Sequence, residues 1–180
     1  MIGRAAFFVL LFALSSMSAV PSRAQDAPGC GPANVKFNVK TTSERPAMPA
    51  ADSTKSLVYF LQDDVHFESR PRPTTRFGID GNWVGATQAN SYFFVSVDPG
   101  EHHLCANWQN RVSVGIPLRP TAALHFNAEA GKAYYFRAKD IGRGGNSTAP
   151  IAEVVLEKTD RDEAQVLMGS FEYSTSKPKK

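Results

Sequence analysis

"NSYFFVSVDPGEHHLCANW", residues 90–108, sets two runs of aromatic and β-branched residues on either side of Asp98-Pro99-Gly100-Glu101. Such residues favour strands, and a central Pro-Gly is what a type II turn requires. The stretch therefore reads as a hairpin of strands 92–97 and 102–108. Mirror pairing about the turn sets Val97 opposite His102, Val95 opposite Leu104 and Phe93 opposite Ala106. Side chains alternate between faces along a strand. Phe93, Val95, Val97, Leu104, Ala106 and Trp108 thus share one face, the expected core strip. Phe94, Ser96, His103 and Cys105 point the other way.

The same alternation weighs against a metal centre in this cluster. His102 and His103 are consecutive and project to opposite faces, whereas zinc sites are usually built from three or four convergent ligands. His125 falls on another expected strand and His66 in a polar loop, and no sequence spacing links them. No metal and no cofactor is expected.

Outward from the hairpin, short β-type runs recur between turn residues. They are SLVYFLQ (56–62), TRFGI (75–79), NWVGA (82–86), AALHFNA (122–128), KAYYFRA (132–138) and IAEVVLE (151–157). Many short strands at this spacing indicate an all-β sandwich or barrel, here a β-sandwich, immunoglobulin-like or PEGA-like. Asp80-Gly81 is a strong two-residue hairpin turn, and Glu129-Ala130-Gly131-Lys132 offers another connection. VKFNVK (35–40) alternates like an edge strand. TTSERPAMPAADSTK (41–55) reads as a flexible connector, and GRGGNS (142–147) as a mobile loop. One short C-terminal helix is expected, with Thr159 and Asp162 resembling a capping box ahead of DRDEAQVLM.

The N-terminus has one early positive charge, Arg4, an apolar run from Ala5 to Leu14, and Ser22-Arg23-Ala24. This is the layout of a secretory signal peptide over residues 1–24. The apolar run is ten residues, and a spanning helix needs about 20, so no transmembrane span is expected in the mature chain. Residues 25–55 form an N-terminal segment and linker, 56–169 the sandwich domain, and 170–180 a basic flexible tail. The net charge of +3 falls to +1 once Arg4 and Arg23 leave, too little for a nucleic-acid partner. Cys30 and Cys105 are the two cysteines, and an oxidising compartment favours a disulfide between them. Cys30 lies far beyond the apolar run, behind Ala27-Pro28-Gly29, and lacks the aliphatic residue of a lipid-anchoring motif.

Catalytic signatures are sparse. There is no G-x-S-x-G elbow and no glycine-rich phosphate loop. Asp63, Asp64, His66 and Glu68 sit in a charge-balanced stretch that reads as a solvated loop, so no catalytic residues are assigned. Aromatic side chains left outside a sandwich core can stack on sugars or anchor a partner. Trp83, Tyr92 and His103 are the candidate contacts on this basis. Tyr134 and Phe136 share a strand face, so only one of Tyr134 and Tyr135 belongs to the core.

Four segments together resemble a bacterial family known as domain of unknown function 2846: SLVYFLQ, FGIDGNWVGATQANSYFFVSVDPGEHHLCANW, HFNAEAGKAYYFRA and DEAQVLM. The match spans about residues 55–169. The hairpin and its Pro-Gly-x-His also look like the small PEGA-type modules of bacterial envelopes. The resemblance implies an exported β-rich domain, often lipid-anchored, and supplies no catalytic residues. The expected function is that of a non-enzymatic envelope interaction or structural module, periplasmic or extracellular, with an envelope protein or glycan as partner. A carbohydrate- or small-ligand-binding module is the alternative, and a hydrolase or metal-binding protein a distant third.

Overall fold

The computed structural model describes residues 29–47, 49, 52–68, 71–110, 119–143 and 151–180. The expected signal peptide and most of the 142–147 loop lie outside these residues. Among the described residues, ten strands and one helix follow in the order β1 (Phe37–Thr42), β2 (Ser56–Asp63), β3 (Thr74–Ile79), β4 (Asn82–Gln88), β5 (Ser91–Val97), β6 (Gly100–Trp108), β7 (Thr121–Ala128), β8 (Ala133–Arg143), β9 (Ile151–Thr159), α1 (Arg161–Ser170) and β10 (Glu172–Pro178). They form a six-stranded sheet, β1-β10-β5-β2-β8-β9, facing a four-stranded sheet, β4-β3-β6-β7. The fold is all-β with one short C-terminal helix, as the residue pattern indicated.

The core between the sheets is aromatic. Phe60 packs on Phe77 at 4.8 Å and on Phe93 at 5.4 Å between ring centres, and Phe126 meets Phe136 at 4.8 Å. Each such ring, fully buried, contributes about 1.5–3 kcal/mol. The expected strip holds: Phe93, Val97, Leu104, Ala106 and Trp108 are buried in this core, and Val95 packs against it.

The hairpin that would align these strands does not form. β5 pairs with β2 and β10, whereas β6 pairs with β3 and β7. The turn at Pro99-Gly100, with Gly100 at φ +136, carries the chain from one sheet to the other. The strands therefore share their core by facing each other across it. The physical reason lies in the second faces. Tyr92 and Phe94 make β5 apolar on both sides, which suits a central strand covered twice. The second face of β6 carries His103 and Cys105. The Glu129–Lys132 turn likewise crosses between sheets, from β7 to β8. Asp80-Gly81, by contrast, closes the β3–β4 hairpin as expected, with Ile79 opposite Asn82 and both turn residues at positive φ.

The outer face of the six-stranded sheet is roofed by α1. Tyr59, Leu61, Tyr92 and Tyr135 meet Ala164, Met168 and Phe171 in a second apolar layer. The helix begins one residue later than the expected cap: Asp160 is the N-cap and accepts from the Glu163 N–H at 2.8 Å, while the Thr159 hydroxyl donates to the Glu163 carboxylate. Arg137 on β8 ties the helix down, pairing with buried Asp63 and, at 2.6 Å, with Glu163.

Residues 170–180 are not a flexible tail. β10 enters the large sheet between β1, antiparallel, and β5, parallel. Its small hydroxyl residues explain the placement. Ser174 Oγ donates to the Ala86 carbonyl and Ser176 Oγ accepts the Ala86 N–H, each at 3.0 Å. The polar edge of β4 is thus satisfied from the facing sheet, which limits edge-to-edge association. β1 is an edge strand, as its alternation suggested, so residues 37–42 belong to the sandwich rather than to a separate leader segment.

Candidate functional site

Cys30 and Cys105 are bonded, with Cα atoms 5.0 Å apart. The bond lays residues 29–36 across the outer face of the four-stranded sheet. A Cβ on Gly78 would stand 2.3 Å from the Gly29 carbonyl oxygen, and one on Gly31 would stand 2.5 Å from the Trp83 ring. Only glycine permits so close a contact between chain segments. Arg76, buried on β3, completes the clamp by donating to the carbonyls of Ala33 and Val35 and to Asn107 Oδ1.

This arrangement settles the position of Trp83. Its indole N–H donates to the Pro32 carbonyl at 2.8 Å, and the Arg76 guanidinium stacks 4.2 Å from the ring centre. Tyr92 is buried beneath the helix layer, at 6% exposure. Neither is an open platform for a sugar, because the N-terminal segment and α1 have taken those faces. The disulfide does not bring residues 29–36 to Phe94. Cys105 and Phe94 lie on the outer faces of different sheets, and Phe94 packs on Tyr59 and Tyr173 instead. His103 is exposed on the four-stranded sheet.

In the 63–68 stretch Asp63 and Asp64 are buried rather than solvated, whereas His66 and Glu68 are exposed. Gln62 Nε2 bridges Asp64 Oδ1 at 2.8 Å and Asp140 Oδ2 at 2.7 Å, Thr75 donates to Asp140 at 2.8 Å, and the Trp108 indole donates to its other oxygen at 2.8 Å. Burial, and then the neighbouring Asp64, push the Asp140 carboxyl well above the ordinary range, and burial raises Asp64 as well. Adjacent buried carboxyls with raised affinity for protons are a familiar acid–base pattern. Here, however, both carboxyls are closed off from solvent, Asp64 at 1% and Asp140 at 0% exposure.

A concave surface opens on the helix-bearing face. It is a groove of about 490 Å³. Leu57 and Tyr59 of β2 and Tyr135 of β8 form its floor, because the alternate residues Val58, Phe60, Tyr134 and Phe136 turn into the core. Tyr59 and Tyr135 stack at 4.9 Å, and burial pushes the Tyr59 phenol up to about 12, which keeps it neutral. One wall is the end of the 41–55 connector. Asp52 Oδ1 accepts from the Thr54 N–H at 2.8 Å, and the Lys55 carbonyl accepts from Gly131 at 2.8 Å. Lys55 is ion-paired with Asp98 at 2.7 Å. On the rim, Lys132 and Arg161 make no ion pair or side-chain hydrogen bond among the described residues. Arg161 is brought there as the first residue of α1.

None of Trp83, Tyr92 and His103 lines this groove. The signals that point to it are the Ala-Gly-Lys-x-Tyr-Tyr run and the arginine that opens the helix. Both become informative only when α1 is known to fold back over β8. Comparison with family models, with curated proteins and with solved structures finds no match to this chain.

Proposed function

We propose that the protein is an exported, non-enzymatic binding module whose groove beside α1 receives an extracytoplasmic ligand that combines an anionic group with an apolar portion. The observation that carries this reading is the pairing of an apolar Leu57/Tyr135 floor with Lys132 and Arg161, which make no ion pair among the described residues. Ligand sites are typically concave and largely apolar, with a few polar groups that fix orientation. Export is supported by the disulfide, since such bonds persist in oxidising compartments, and by the absence, among the described residues, of a helix long and apolar enough to cross a membrane. The resemblance to envelope domains agrees with this role.

The test is an NMR titration of the tag-free protein with phosphorylated saccharides, acidic peptides and short-chain anionic lipids. Shifts should gather at Leu57, Lys132, Tyr135 and Arg161, and disappear in Lys132→Glu/Arg161→Glu. Shifts centred on Trp83, or none with any probe at millimolar concentration, would end the proposal.

A further inference from the structure

His103 of β6 stands directly opposite His125 of β7. Both are exposed, and they share the outer face because their neighbours Leu104 and Leu124 turn into the core. We propose that this cross-strand pair is a surface site for a divalent late-transition-metal ion, Cu²⁺, Ni²⁺ or Zn²⁺. Directly opposed residues on antiparallel strands have Cβ atoms about 4.5–5.5 Å apart, so two imidazoles there can reach one ion. Their ring centres lie 6.4 Å apart at 37°. Bonds of about 2.0–2.1 Å from an ion to each ring nitrogen require the centres to approach by roughly 1–2 Å, within the freedom of two exposed side chains.

Each ring is uncommitted and its backbone is fixed. Neither imidazole makes a side-chain hydrogen bond or ion pair among the described residues. The His103 N–H donates to Asp80 Oδ1 at 2.8 Å, and Cys105, two residues on, is anchored to Cys30. His102 is the contrasting case. Its Nδ1 lies 2.6 Å from Asp80 Oδ2 and its Nε2 2.8 Å from the Asp98 carbonyl, so both nitrogens are occupied. Of the adjacent histidines, only His103 is available to an ion, and its partner comes from the sheet register rather than from the chain neighbour. Among the described residues no group of three or more metal-binding side chains converges. The ion therefore keeps solvent in its remaining positions, and Glu101 and Asn127, a register pair one same-face step away, lie within reach of those waters. Imidazole ligands and the stability order of these ions place Cu²⁺ first.

The experiment is calorimetric titration of the tag-free, oxidised protein with each ion, with Ni²⁺-induced broadening of amide signals as the map. One ion should bind per chain, broadening should centre on residues 101–105 and 123–127, and His103→Gln or His125→Gln should each weaken binding on the order of tenfold or more through loss of the chelate. The double variant should bind little more weakly than either single variant, because one remaining imidazole no longer chelates. His66→Gln should change nothing. Wild-type affinity in either single variant, independent additive losses, or broadening centred on His66 or the N-terminus would overturn the proposal.

Discussion

Replacing both cysteines, Cys30→Ala/Cys105→Ala, tests how residues 29–36 contribute to stability. The bond closes a loop of sequence separation 75, and the loop-entropy relation gives about 4 kcal/mol for that length. A domain of this size moves about 2–4 °C per kcal/mol, so melting should fall by about 8–16 °C. Cys105 is fully buried, and loss of its sulfur contacts acts in the same direction. The bonds from Arg76 and the Trp83 indole to the segment do not involve sulfur, so the folded architecture should persist and the loss should be global. Calorimetry of the oxidised, reduced and substituted proteins measures the fall, and hydrogen exchange at the Trp83 indole reports whether the segment stays docked. A fall of less than about 3 °C, with the reduced protein melting like the oxidised one, would refute the loop-closure reasoning. Labelling of both cysteines by a thiol reagent without prior reduction would refute the bond itself.

Asp140→Asn should flatten the pH dependence of stability. The folded protein holds protons on raised carboxyls that the unfolded chain releases above about pH 4. That contribution is complete below this range and is lost as pH rises toward the folded value. An asparagine stays neutral and also relieves Asp64, so an equally steep decline in melting temperature above pH 4 in the variant would contradict the assignment. Gly78→Ala should destabilise by about 1–3 kcal/mol, because its Cβ would collide with the Gly29 backbone. Urea denaturation measures this, and a shift of Trp83 fluorescence should accompany it. Arg137→Gln leaves the Asp63 carboxylate buried without its cation and should cost about 3 kcal/mol. Adding Asp63→Asn should restore part of the loss, and no restoration would mean that the arginine acts through packing alone.

Strand positions were legible because period-two alternation and turn residues are local signals. Which strands pair was less so. The runs SLVYFLQ and YFFVSV are apolar at nearly every position, and such runs mark strands covered on both faces, but the cover over Tyr59 and Tyr92 is a helix that begins only at Arg161. The tail was misread for a similar reason. Glu172–Pro178 is polar because its hydroxyls bond Ala86 on the opposite sheet, so its composition resembles solvent-facing chain. The cysteines were readable from their number and expected compartment alone. Arg76 carried no local signal, and those at Lys132 and Arg161 gain meaning only once α1 folds back over β8, since the groups they face arrive from distant segments. His103 and His125 were visible individually, but only the β6–β7 register makes them a pair.

The placement of β10 also bears on the order in which the chain can assemble. Among the described residues β1 has no ladder partner other than β10, and β5 lacks its second neighbour until residues 172–178 have been made. Cys30 and Cys105, in contrast, are both available when little more than half of the chain has emerged. The staple can therefore close first and hold the stretch ahead of β1 in place while the rest is synthesised. Until β10 inserts, the edge of β5 at Ser91 and Tyr92 is unpaired, and Tyr92 and Phe94 lack the cover of Tyr173. Pairings between such distant segments form slowly, and an apolar edge left open for that interval is where aggregation begins. A chain truncated before Glu172 should consequently form its disulfide and still fail to remain monomeric.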